Sequence, residues 1–521
     1  MSLRLLRWLT SPDPSLAAFG TAAMAYVGEG AYVDWARMTL LGGDDLALLS
    51  TAFAELAVAV RARRERFNRR FTELLVTWNG AGAARSGLVP VEGVLESVLA
   101  PLARDDPVLL LVADGMSLPV FRALAPSLTA LGWTEMAPED GPRPLAAIAT
   151  LPTVTESSRA SLLCGRLTLG TAPQEKSGFG AHPALLAVSR PTARPVLFHK
   201  AELGDGSGLS DAVRDAVRAR DQKVVGVVYN AVDDHLSGSD QLHLSWSVDD
   251  LRLLRPLLHE ARLAGRAIVI TADHGHVLDE GTTQRSHEEG DRWRRSAGPV
   301  AADEVELVGG RVIAPGGLDR VVLPWSEGVR YAGKKNGYHG GATPQEVLVP
   351  LVVLAPTAQP VSGWVPIPPD FPEWWEAGPP TRREPQAALP AVPAGKRRKA
   401  PTPQADLFPT VPAQPAADAW VDRLLASPVY AEQKRLAARI APVDDELRRF
   451  LLALDGRGGK LSKTALAQRL GMPLVRIGGF LSAVRRVLNV DRAGVVTVDE
   501  AAAVVELSRG LLDAQFQLKG P

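Results

Sequence analysis

The chain contains a single cysteine, Cys164, so no disulfide bond can form within it. It also lacks any apolar stretch of the roughly 20 residues that a membrane-spanning helix needs. The small apolar stretch 16–27 follows the Ser-Pro-Asp-Pro segment 11–14, which interrupts the pattern of a secretion signal. These absences argue against a disulfide-stabilised secreted domain. They predict a cytoplasmic protein that does not interact with a membrane.

Net charge is absent as well, because 58 Lys and Arg residues balance 58 Asp and Glu residues. The overall charge therefore gives no indication of an anionic partner, and any basic surface has to be local. Of the 521 residues, 46% are hydrophobic and 22% are charged. This is the composition of a globular protein with more than one domain.

Four regions of the chain differ in their patterns. Residues 1–100 carry apolar side chains at helical spacing and predict a helical N-terminal region. Residues 101–356 alternate short apolar runs with helix-like segments, which is typical of an α/β domain with a mostly parallel sheet flanked by helices. Residues 357–417 are rich in proline and alanine and predict an extended linker.

The last region, residues 418–521, predicts a small domain that resembles a winged helix. Two helical patterns are separated by the Gly-Met-Pro turn 471–473, and the run 495–498 has the composition of a short strand. In a helix-turn-helix the second helix contacts nucleic acid. Its arginines are therefore candidate phosphate contacts, namely Arg476, Arg485 and Arg486. A winged helix that binds protein is the alternative.

Within the α/β region, polar residues follow apolar runs at the points where strands are predicted to end. Asp114 follows one run, Asp233 follows a second, and Asp273 with His274 follows a third. In such sheets, ligands bind beyond the carboxyl ends of the strands. Asp and neutral His are zinc ligands, and Gly275 lets the backbone turn so that both can face one ion.

Two further motifs are less specific when taken alone. The hydroxyl-rich segment 153–158 precedes a predicted helix, and its hydroxyls could simply cap that helix. A hydroxyl at a helix N-terminus can also serve catalysis, since free N–H groups favour an anionic phosphate there. A late His-Gly pair, His339-Gly340, precedes the last apolar run, where a loop histidine is the simpler interpretation.

Together, these motifs resemble the alkaline-phosphatase superfamily in their order along residues 104–356. That order is an aspartate after the first strand, a Thr or Ser nucleophile, a mid-domain aspartate, Asp-His-Gly and a late His-Gly. Three segments narrow the resemblance to the PglZ family of the bacterial BREX and Pgl bacteriophage-resistance systems: 152–159, 230–234 and 339–346. The core, linker and winged-helix-like tail are most similar to the type 2 BREX version.

The resemblance implies a metal-dependent phosphohydrolase or phosphodiesterase that acts with other BREX or Pgl proteins, on nucleic acid or nucleotides. Thr155, ten residues before Gly165, matches the nucleophile, with Thr153 as the alternative. Arg159 is the nearest cation that could position a phosphoryl group. Two divalent ions are implied, zinc or else manganese or magnesium. One would be held by Asp114, Thr155, Asp273 and His274, and the other by Asp233 and His339.

One ligand departs from the family pattern. Many members have a histidine four residues after the mid-domain aspartate, where this chain has Ser237. His235 is the candidate replacement. An incomplete second site leaves open a second hypothesis, in which the chain is a non-catalytic scaffold or assembly subunit of the defence complex. A sulfatase on the same fold would need Cys or Ser at the position of Thr155, which argues against that activity.

Overall fold

A computed structural model describes most of the chain. The described residues are 1–42, 47–81, 88–139, 145–204, 208–237, 246–285, 287, 289–356, 360–368, 371–375, 419–437, 442–455, 459–470, 472, 474–490, 494–499, 504–516 and 518. The chain divides into two compact units, Met1–Gln386 and Ala387–Pro521. Most of the predicted linker, 357–417, lies outside the described residues, and the bounds of the four predicted regions stay predictions. None of the helices in the described ranges is both long and apolar enough to cross a membrane.

The helices of the described residues are α1 (Ser2–Thr10), α2 (Phe19–Ala25), α3 (Ala31–Leu40), α4 (Ala47–Gly80), α5 (Ala100–Asp105), α6 (Leu118–Ala130), α7 (Thr155–Cys164), α8 (Ala172–Ala181), α9 (Pro183–Val188), α10 (Lys200–Leu203), α11 (Asp211–Arg218), α12 (Ala231–Ser237), α13 (Leu254–Leu263), α14 (Pro344–Val347), α15 (Ala419–Leu425), α16 (Pro428–Ala437), α17 (Asp444–Asp455), α18 (Lys463–Leu470), α19 (Leu474–Leu488) and α20 (Arg509–Gln515). Short π-helical turns cover Tyr26–Gly30 and Leu95–Leu99, and a 3-10 turn covers Val91–Gly93.

The strands of the described residues are β1 (Val89–Pro90), β2 (Val108–Ala113), β3 (Trp133–Pro138), β4 (Ala146–Ile148), β5 (Val196–Phe198), β6 (Val224–Tyr229), β7 (Ala267–Thr271), β8 (Val277–Leu278), β9 (Thr283–Gln284), β10 (Arg294–Arg295), β11 (Glu304–Val308), β12 (Arg320–Pro324), β13 (Val329–Arg330), β14 (Gly337–Tyr338), β15 (Leu348–Pro356), β16 (Trp364–Pro366), β17 (Lys460–Ser462), β18 (Val496–Asp499) and β19 (Val504–Leu507).

The first unit is built around a sheet with the strand order β1-β4-β15-β7-β2-β6-β5, and β3 with β16 extends it beside β15. Strands β5, β6, β2 and β7 run parallel. Every residue of β2, β6 and β7 is buried, which explains why their sequences are continuous apolar runs. Apolar side chains of α6, α11 and α13 pack on these strands. The predicted α/β class with a mostly parallel central sheet and flanking helices is confirmed.

The long strand β15 runs antiparallel to β7, with Leu351 opposite Thr271. Its apolar sequence predicted a strand but carried no information on direction. Because β15 is antiparallel, its amino end lies at the edge where β2, β6 and β7 have their carboxyl ends. The loop that carries His339 precedes β15, and it is therefore brought to the edge where the other motifs lie.

Buried ion pairs join the N-terminal helices to the rest of the first unit. The guanidinium of Arg37, on α3, lies 2.8 Å from Glu327, 3.0 Å from Glu280 and 3.1 Å from Asp34. Arg64 of α4 lies 3.0 Å from the other carboxylate oxygen of Asp34. Burial opposes ionisation of Glu327, but Arg37 and Arg64 outweigh it and hold the pKa of Glu327 well below its usual range. The N-terminal helices are therefore part of the unit that carries the site.

The second unit contains α15 to α20 and an antiparallel sheet of order β17-β19-β18. Along the chain, α17 is followed by β17, then by α18 and α19, and then by β18 and β19. Its hydrophobic core includes Phe450, Leu466, Val484 and Phe516. The winged-helix assignment of this unit stays a prediction.

Removing the guanidinium of Arg37 should strongly destabilise the first unit, because Glu327 and Asp34 would keep buried charge without this partner. We expect Arg37→Met to lower the free energy of unfolding by about 3–5 kcal/mol in urea denaturation of the full chain. The control is Arg70→Met, which removes an exposed pair with Glu73 and should cost less than about 1 kcal/mol. Equal costs for the two variants would contradict this role for the buried pairs.

Candidate metal centre

Strand β2 delivers the first acid of the site. The strand ends at Ala113, and the following Asp114 is 2% exposed. Gly115 has a φ of 72°, in the left-handed region that favours glycine, so the chain turns away directly after the acid. Nδ2 of Asn230, which follows β6, donates to Oδ2 of Asp114 at 2.6 Å. The ends of two neighbouring parallel strands therefore meet at this carboxylate.

Strand β7 delivers Asp273 and His274, and both side chains are fully buried. The backbone N–H of Gly115 donates to Oδ1 of Asp273 at 3.2 Å. Oδ2 of Asp273 has no hydrogen-bond partner among the described residues. A Cβ at Gly275 would lie 2.0 Å from the carbonyl oxygen of Gln345, so glycine is required directly after the histidine.

Asp114, Asp273 and His274 present ligand atoms that all lie within 4.8 Å of one another. Nε2 of His274 is 3.5 Å from Oδ2 of Asp273 and 3.7 Å from Oδ1 of Asp114. Nδ1 of His274 lies 3.1 Å from the carbonyl oxygen of Gly275, which assigns the proton to Nδ1 and leaves a lone pair on Nε2. This pattern of donors is suited to one divalent cation.

The electrostatics of the cluster favour a positive charge between the acids. Burial and the neighbouring Asp273 raise the pKa of Asp114 to about 7. Burial likewise raises the pKa of Asp273. Behind them, burial lowers the pKa of His276 to about 4, and its Nδ1 lies 2.7 Å from the carbonyl oxygen of Gly115. A neutral His276 adds no positive charge to the acids in front of it.

Thr155 is the first residue of α7, and its hydroxyl does not cap that helix. The N-cap residue is Val154, whose side chain makes no capping hydrogen bond. Oγ1 of Thr155 instead lies 3.1 Å from Nε2 of His274 and 3.4 Å from Oδ1 of Asp114. For this hydroxyl, ordinary helix capping is therefore the wrong interpretation, and the hydroxyl is directed at the acid cluster.

The alternative hydroxyl, that of Thr153, is engaged elsewhere. Oγ1 of Thr153 donates to the carbonyl oxygen of Gly341 at 3.1 Å and accepts from the N–H of Gly340 at 3.0 Å. The carbonyl oxygen of Thr153 lies 3.1 Å from Nδ1 of His339. Thr153 therefore holds the loop that carries His339.

A second pair of ligand residues lies beside the first group. Nε2 of His339 is 3.8 Å from Oδ1 of Asp233. The rings of His339 and His274 are stacked, with centroids 4.2 Å apart. Burial lowers the pKa of His339, which keeps its imidazole neutral. The two predicted ligand sets are thus neighbours.

The structure does not bring His235 into this second set, and its role as a ligand stays a prediction. The imidazole of His235 meets the ring of Trp246 edge-on, with centroids 5.4 Å apart. Because Asp233 and His235 are two residues apart on α12, their side chains point about 160° away from each other around the helix axis. Across the described residues, Asp233 and His339 belong to no group of three such ligands.

Arg159 lies one helical turn after Thr155. Its Nη1 is 2.5 Å from Oδ2 of Asp114, and its Nε is 3.0 Å from Oε1 of Glu175. Oε2 of Glu175 lies 2.8 Å from Nε2 of His199.

Glu175 and His199 were not predicted. His199 directly follows β5, as the other polar site residues follow their strands. However, β5 has only three residues, and so short an apolar run cannot be recognised as a strand in the sequence. Glu175 lies near the start of a helix, where acids are common, so no sequence pattern marked it as part of the site.

Glu346 holds both histidine-bearing loops and was also missed. Its Oε1 accepts from the N–H of Gly341 at 2.8 Å and from Nε of Arg292 at 2.9 Å. Its carbonyl oxygen accepts from the N–H of Gly275 at 3.0 Å. The Thr-Pro-Gln-Glu sequence is a capping box, with Thr343 at the N-cap of α14, so Glu346 could be recognised only as a helix start.

The arginines predicted to contact nucleic acid lie on α19 of the second unit. Arg476, Arg485 and Arg486 are all exposed. Arg485 and Arg486 are adjacent near the end of the helix. Arg476 lies in its first turn, about 180° from Arg485 and about 80° from Arg486 around the helix axis, and roughly 14 Å from both along that axis. The three arginines therefore do not form one cluster.

Comparison with protein families gives two matches. Residues 94–354, half of the chain, match the BREX system PglZ alkaline phosphatase-like domain. Residues 415–517 match the BREX system PglZ C-terminal domain. A comparison with curated proteins finds no match.

Solved structures give distant similarities. Murine ectonucleotide pyrophosphatase/phosphodiesterase 5 is 12% identical, with 49% of this chain and 88% of that chain covered and a TM-score of 0.31. Phosphonoacetate hydrolase from Sinorhizobium meliloti 1021 is 12% identical, with 48% and 89% covered and a TM-score of 0.28. The family matches, in contrast, cover the α/β core and the second unit, and the chain belongs to the BREX PglZ family with its alkaline phosphatase-like domain.

Proposed function

We propose that this PglZ chain hydrolyses phosphoric esters at a metal-dependent site in which Thr155 is the nucleophile. The observation that carries this proposal is the position of the Thr155 hydroxyl, which contacts His274 and Asp114 instead of capping α7. Family membership indicates a BREX defence system as the setting and other BREX components as partners. We further propose that the ester belongs to a nucleotide or a nucleic acid, because an infecting phage introduces nucleic acid, which is a phosphodiester, in quantity.

The donor set fits a divalent metal ion. Oδ2 of Asp273 is buried without a hydrogen-bond partner among the described residues, and His274 directs its unprotonated nitrogen at it. Nitrogen and carboxylate donors suit zinc, with manganese or magnesium as alternatives. When bound, such ions stabilise the deprotonated hydroxyl and the charge that develops on a phosphoryl group. One would be held by Asp114, Thr155, Asp273 and His274, and a second by Asp233 and His339.

Thr155 supplies the attacking oxygen. The hydroxyl of Thr155 gives up its proton to solvent. As the bond from Oγ1 to phosphorus forms, the bond from phosphorus to the leaving oxygen breaks, and that oxygen takes a proton from solvent. Water then attacks the phosphothreonine, releases the phosphoryl group and restores the hydroxyl. Thr153 cannot take this role, because its hydroxyl is bound by Gly340 and Gly341.

Arg159 positions the phosphoryl group in this proposal. It lies four residues after Thr155, so both side chains are on one face of α7. Glu175 binds Nε of Arg159 and leaves Nη1 directed at the Asp114 side of the cluster. A guanidinium held in this way can donate to a phosphoryl oxygen as its negative charge increases. Glu175 is 1% exposed, so solvent screens its ion pair with Arg159 only slightly.

A second candidate function has a specific observation in its favour. The Asp233–His339 pair lacks a third ligand among the described residues, and a site with two protein ligands binds metal weakly. In this alternative the chain keeps the fold and at most one ion, and it serves as a scaffold or assembly subunit of the defence complex. Metal content and hydrolysis together distinguish the two functions.

The acid cluster should bind a divalent ion. We expect zinc or manganese to stabilise metal-stripped protein by about 2.7 kcal/mol when free metal is 100 times Kd, seen as a rise in Tm. Asp273→Asn should remove most of this rise, because it replaces a buried charged ligand. Asp279→Asn is the matched control, since Asp279 is 9% exposed and accepts from Thr282 instead of facing the cluster. An undiminished rise in Asp273→Asn would exclude the cluster as the binding site.

Thr155→Ala should abolish hydrolysis while metal still raises the Tm. The expected loss in kcat is on the order of 10³-fold or more, since no neighbouring group replaces the nucleophile. The assay uses an activated phosphate monoester and an activated diester, each with zinc, manganese and magnesium. Thr155→Ser keeps a hydroxyl and should retain measurable activity.

Asp273→Ala should also abolish hydrolysis, but through loss of metal, so the two inactive variants should differ in metal content. Full activity in Thr155→Ala would refute the covalent mechanism. Wild-type protein that hydrolyses neither ester with any of the metals would favour the scaffold function.

A further inference from the structure

The second unit carries a basic tract that the proposed reaction does not use. The chain as a whole has equal numbers of basic and acidic residues, but the stretch 456–490 contains seven basic residues and no Asp or Glu. Charge of one sign concentrated in this way raises the local potential well above that of a neutral surface. The seven are Arg457, Lys460, Lys463, Arg469, Arg476, Arg485 and Arg486.

Helix α19, within this tract, has one exposed face. One side of the helix is buried in the core of the second unit through Ile477, Leu481, Val484 and Leu488. The opposite side is exposed, and its residues are spaced three, four and seven apart, as one face of a helix requires. We call it the α19 face, formed by Gly478, Gly479, Ser482, Arg485 and Arg486.

The two arginines of the α19 face have no partner for their charge among the described residues. The guanidinium groups of Arg485 and Arg486 form no ion pair or hydrogen bond with any residue that the structure describes. Another adjacent pair in the same unit, on α17, behaves differently: Arg448 is ion-paired with Asp422, and Arg449 lies 3.2 Å from Asp445. The free guanidinium groups on α19 are therefore a property of this face and not of the unit as a whole.

The described residues of the second unit give no structural reason for the two glycines of the α19 face. A Cβ built at Gly478 or Gly479 would meet no described atom within 4 Å. Glycine inside a helix is less favourable than almost any other residue, so two in succession weaken α19 without any gain in packing. What they provide is a helix backbone that another molecule can approach closely, with two arginines one to two turns further along.

We propose that the α19 face binds double-stranded DNA, with Arg485 and Arg486 contacting backbone phosphates and the small residues set against the groove. The major groove of DNA is about 12 Å wide and admits an α-helix. Guanidinium groups without a carboxylate partner complement the closely spaced negative charges of the duplex. Arg476 lies in the first turn of α19, about 120° from Ser482 at the middle of this face, and we do not include it in the surface.

The composition of the α19 face distinguishes duplex DNA from other partners. Single-stranded nucleic acids are bound largely by aromatic side chains on which bases stack. The one aromatic residue in 456–490, Phe480, is buried against Phe450 with ring centroids 5.7 Å apart. Double-stranded RNA has a major groove too deep and narrow for side chains to read. A protein partner would require apolar side chains at the centre of the interface, and the α19 face has none.

The test measures binding of the full chain to a short DNA duplex by fluorescence anisotropy over a range of salt concentrations. We expect Arg485→Gln/Arg486→Gln to weaken binding by about 10-fold or more, and to reduce the slope of log K against log salt by about 2, one for each lost phosphate contact. Arg448→Gln/Arg449→Gln is the matched control, and both values should stay at those of the wild type. Unchanged Tm in the first variant checks that it is folded.

A second pair of substitutions separates DNA contact from a structural role. Gly478→Gln/Gly479→Gln should raise the Tm, because Gln favours helix more than Gly does. It should nevertheless weaken duplex binding, because it fills the space through which the helix approaches DNA. A residue pair with only a structural role would not combine greater stability with weaker binding.

Hydrolysis of a small activated ester should be the same in the wild type and in all three double variants, so this proposal and the proposed function fail independently. Equal duplex affinity in the wild type and in Arg485→Gln/Arg486→Gln would overturn the proposal. Tighter binding of single-stranded DNA than of duplex would also overturn it. The proposal would also be overturned if the wild-type chain bound no duplex at low salt and Arg485→Gln/Arg486→Gln lost association with another BREX protein. Those two results together would assign the α19 face to a protein partner.

Discussion

Two carboxylates, Asp114 and Asp273, are buried side by side at the carboxyl edge of the central strands. Confining like charges in apolar surroundings is unfavourable unless a cation or hydrogen bonds compensate for it. Asp114 has Arg159 and Asn230, whereas one oxygen of Asp273 has no partner among the described residues. Much of the surrounding architecture keeps these acids together against their repulsion: two glycine turns, the antiparallel β15 and the contacts of Glu346. The fold thereby maintains a place for positive charge.

The parts of the site that the sequence predicts are those built by local rules. Strands β2, β6 and β7 are buried on both faces, so each appears as an apolar run, and the polar residue after each run marks the edge of the sheet. The direction of β15 depends on pairing with strands far away in the chain, and its own residues do not encode it. The prediction for His235 rested on its proximity in sequence to Asp233, and that proximity does not imply proximity in space, because residues two apart on a helix diverge.

The residues that the sequence did not reveal share one property, which is that they act through partners distant in the chain. Glu175 acts through Arg159, and Glu346 acts through Gly341 and Gly275. The two units also divide the chemistry between them. The first unit gathers carboxylates and imidazoles in an arrangement suited to a metal ion, and the second carries two arginines whose guanidinium groups have no carboxylate partner among the described residues. A protein with no net charge therefore carries two local fields of opposite sign, each on residues that the other does not use.

Glu346 has a further consequence for the motion of the site. Its carboxylate binds the loop that carries His339, and its carbonyl oxygen binds the turn that follows His274. Arg292 and the capping box keep Glu346 itself in place. The two histidine-bearing loops therefore share one hydrogen-bonding partner. A rearrangement that moved one of these loops alone would break its hydrogen bond to Glu346, so we expect the two loops to be displaced together.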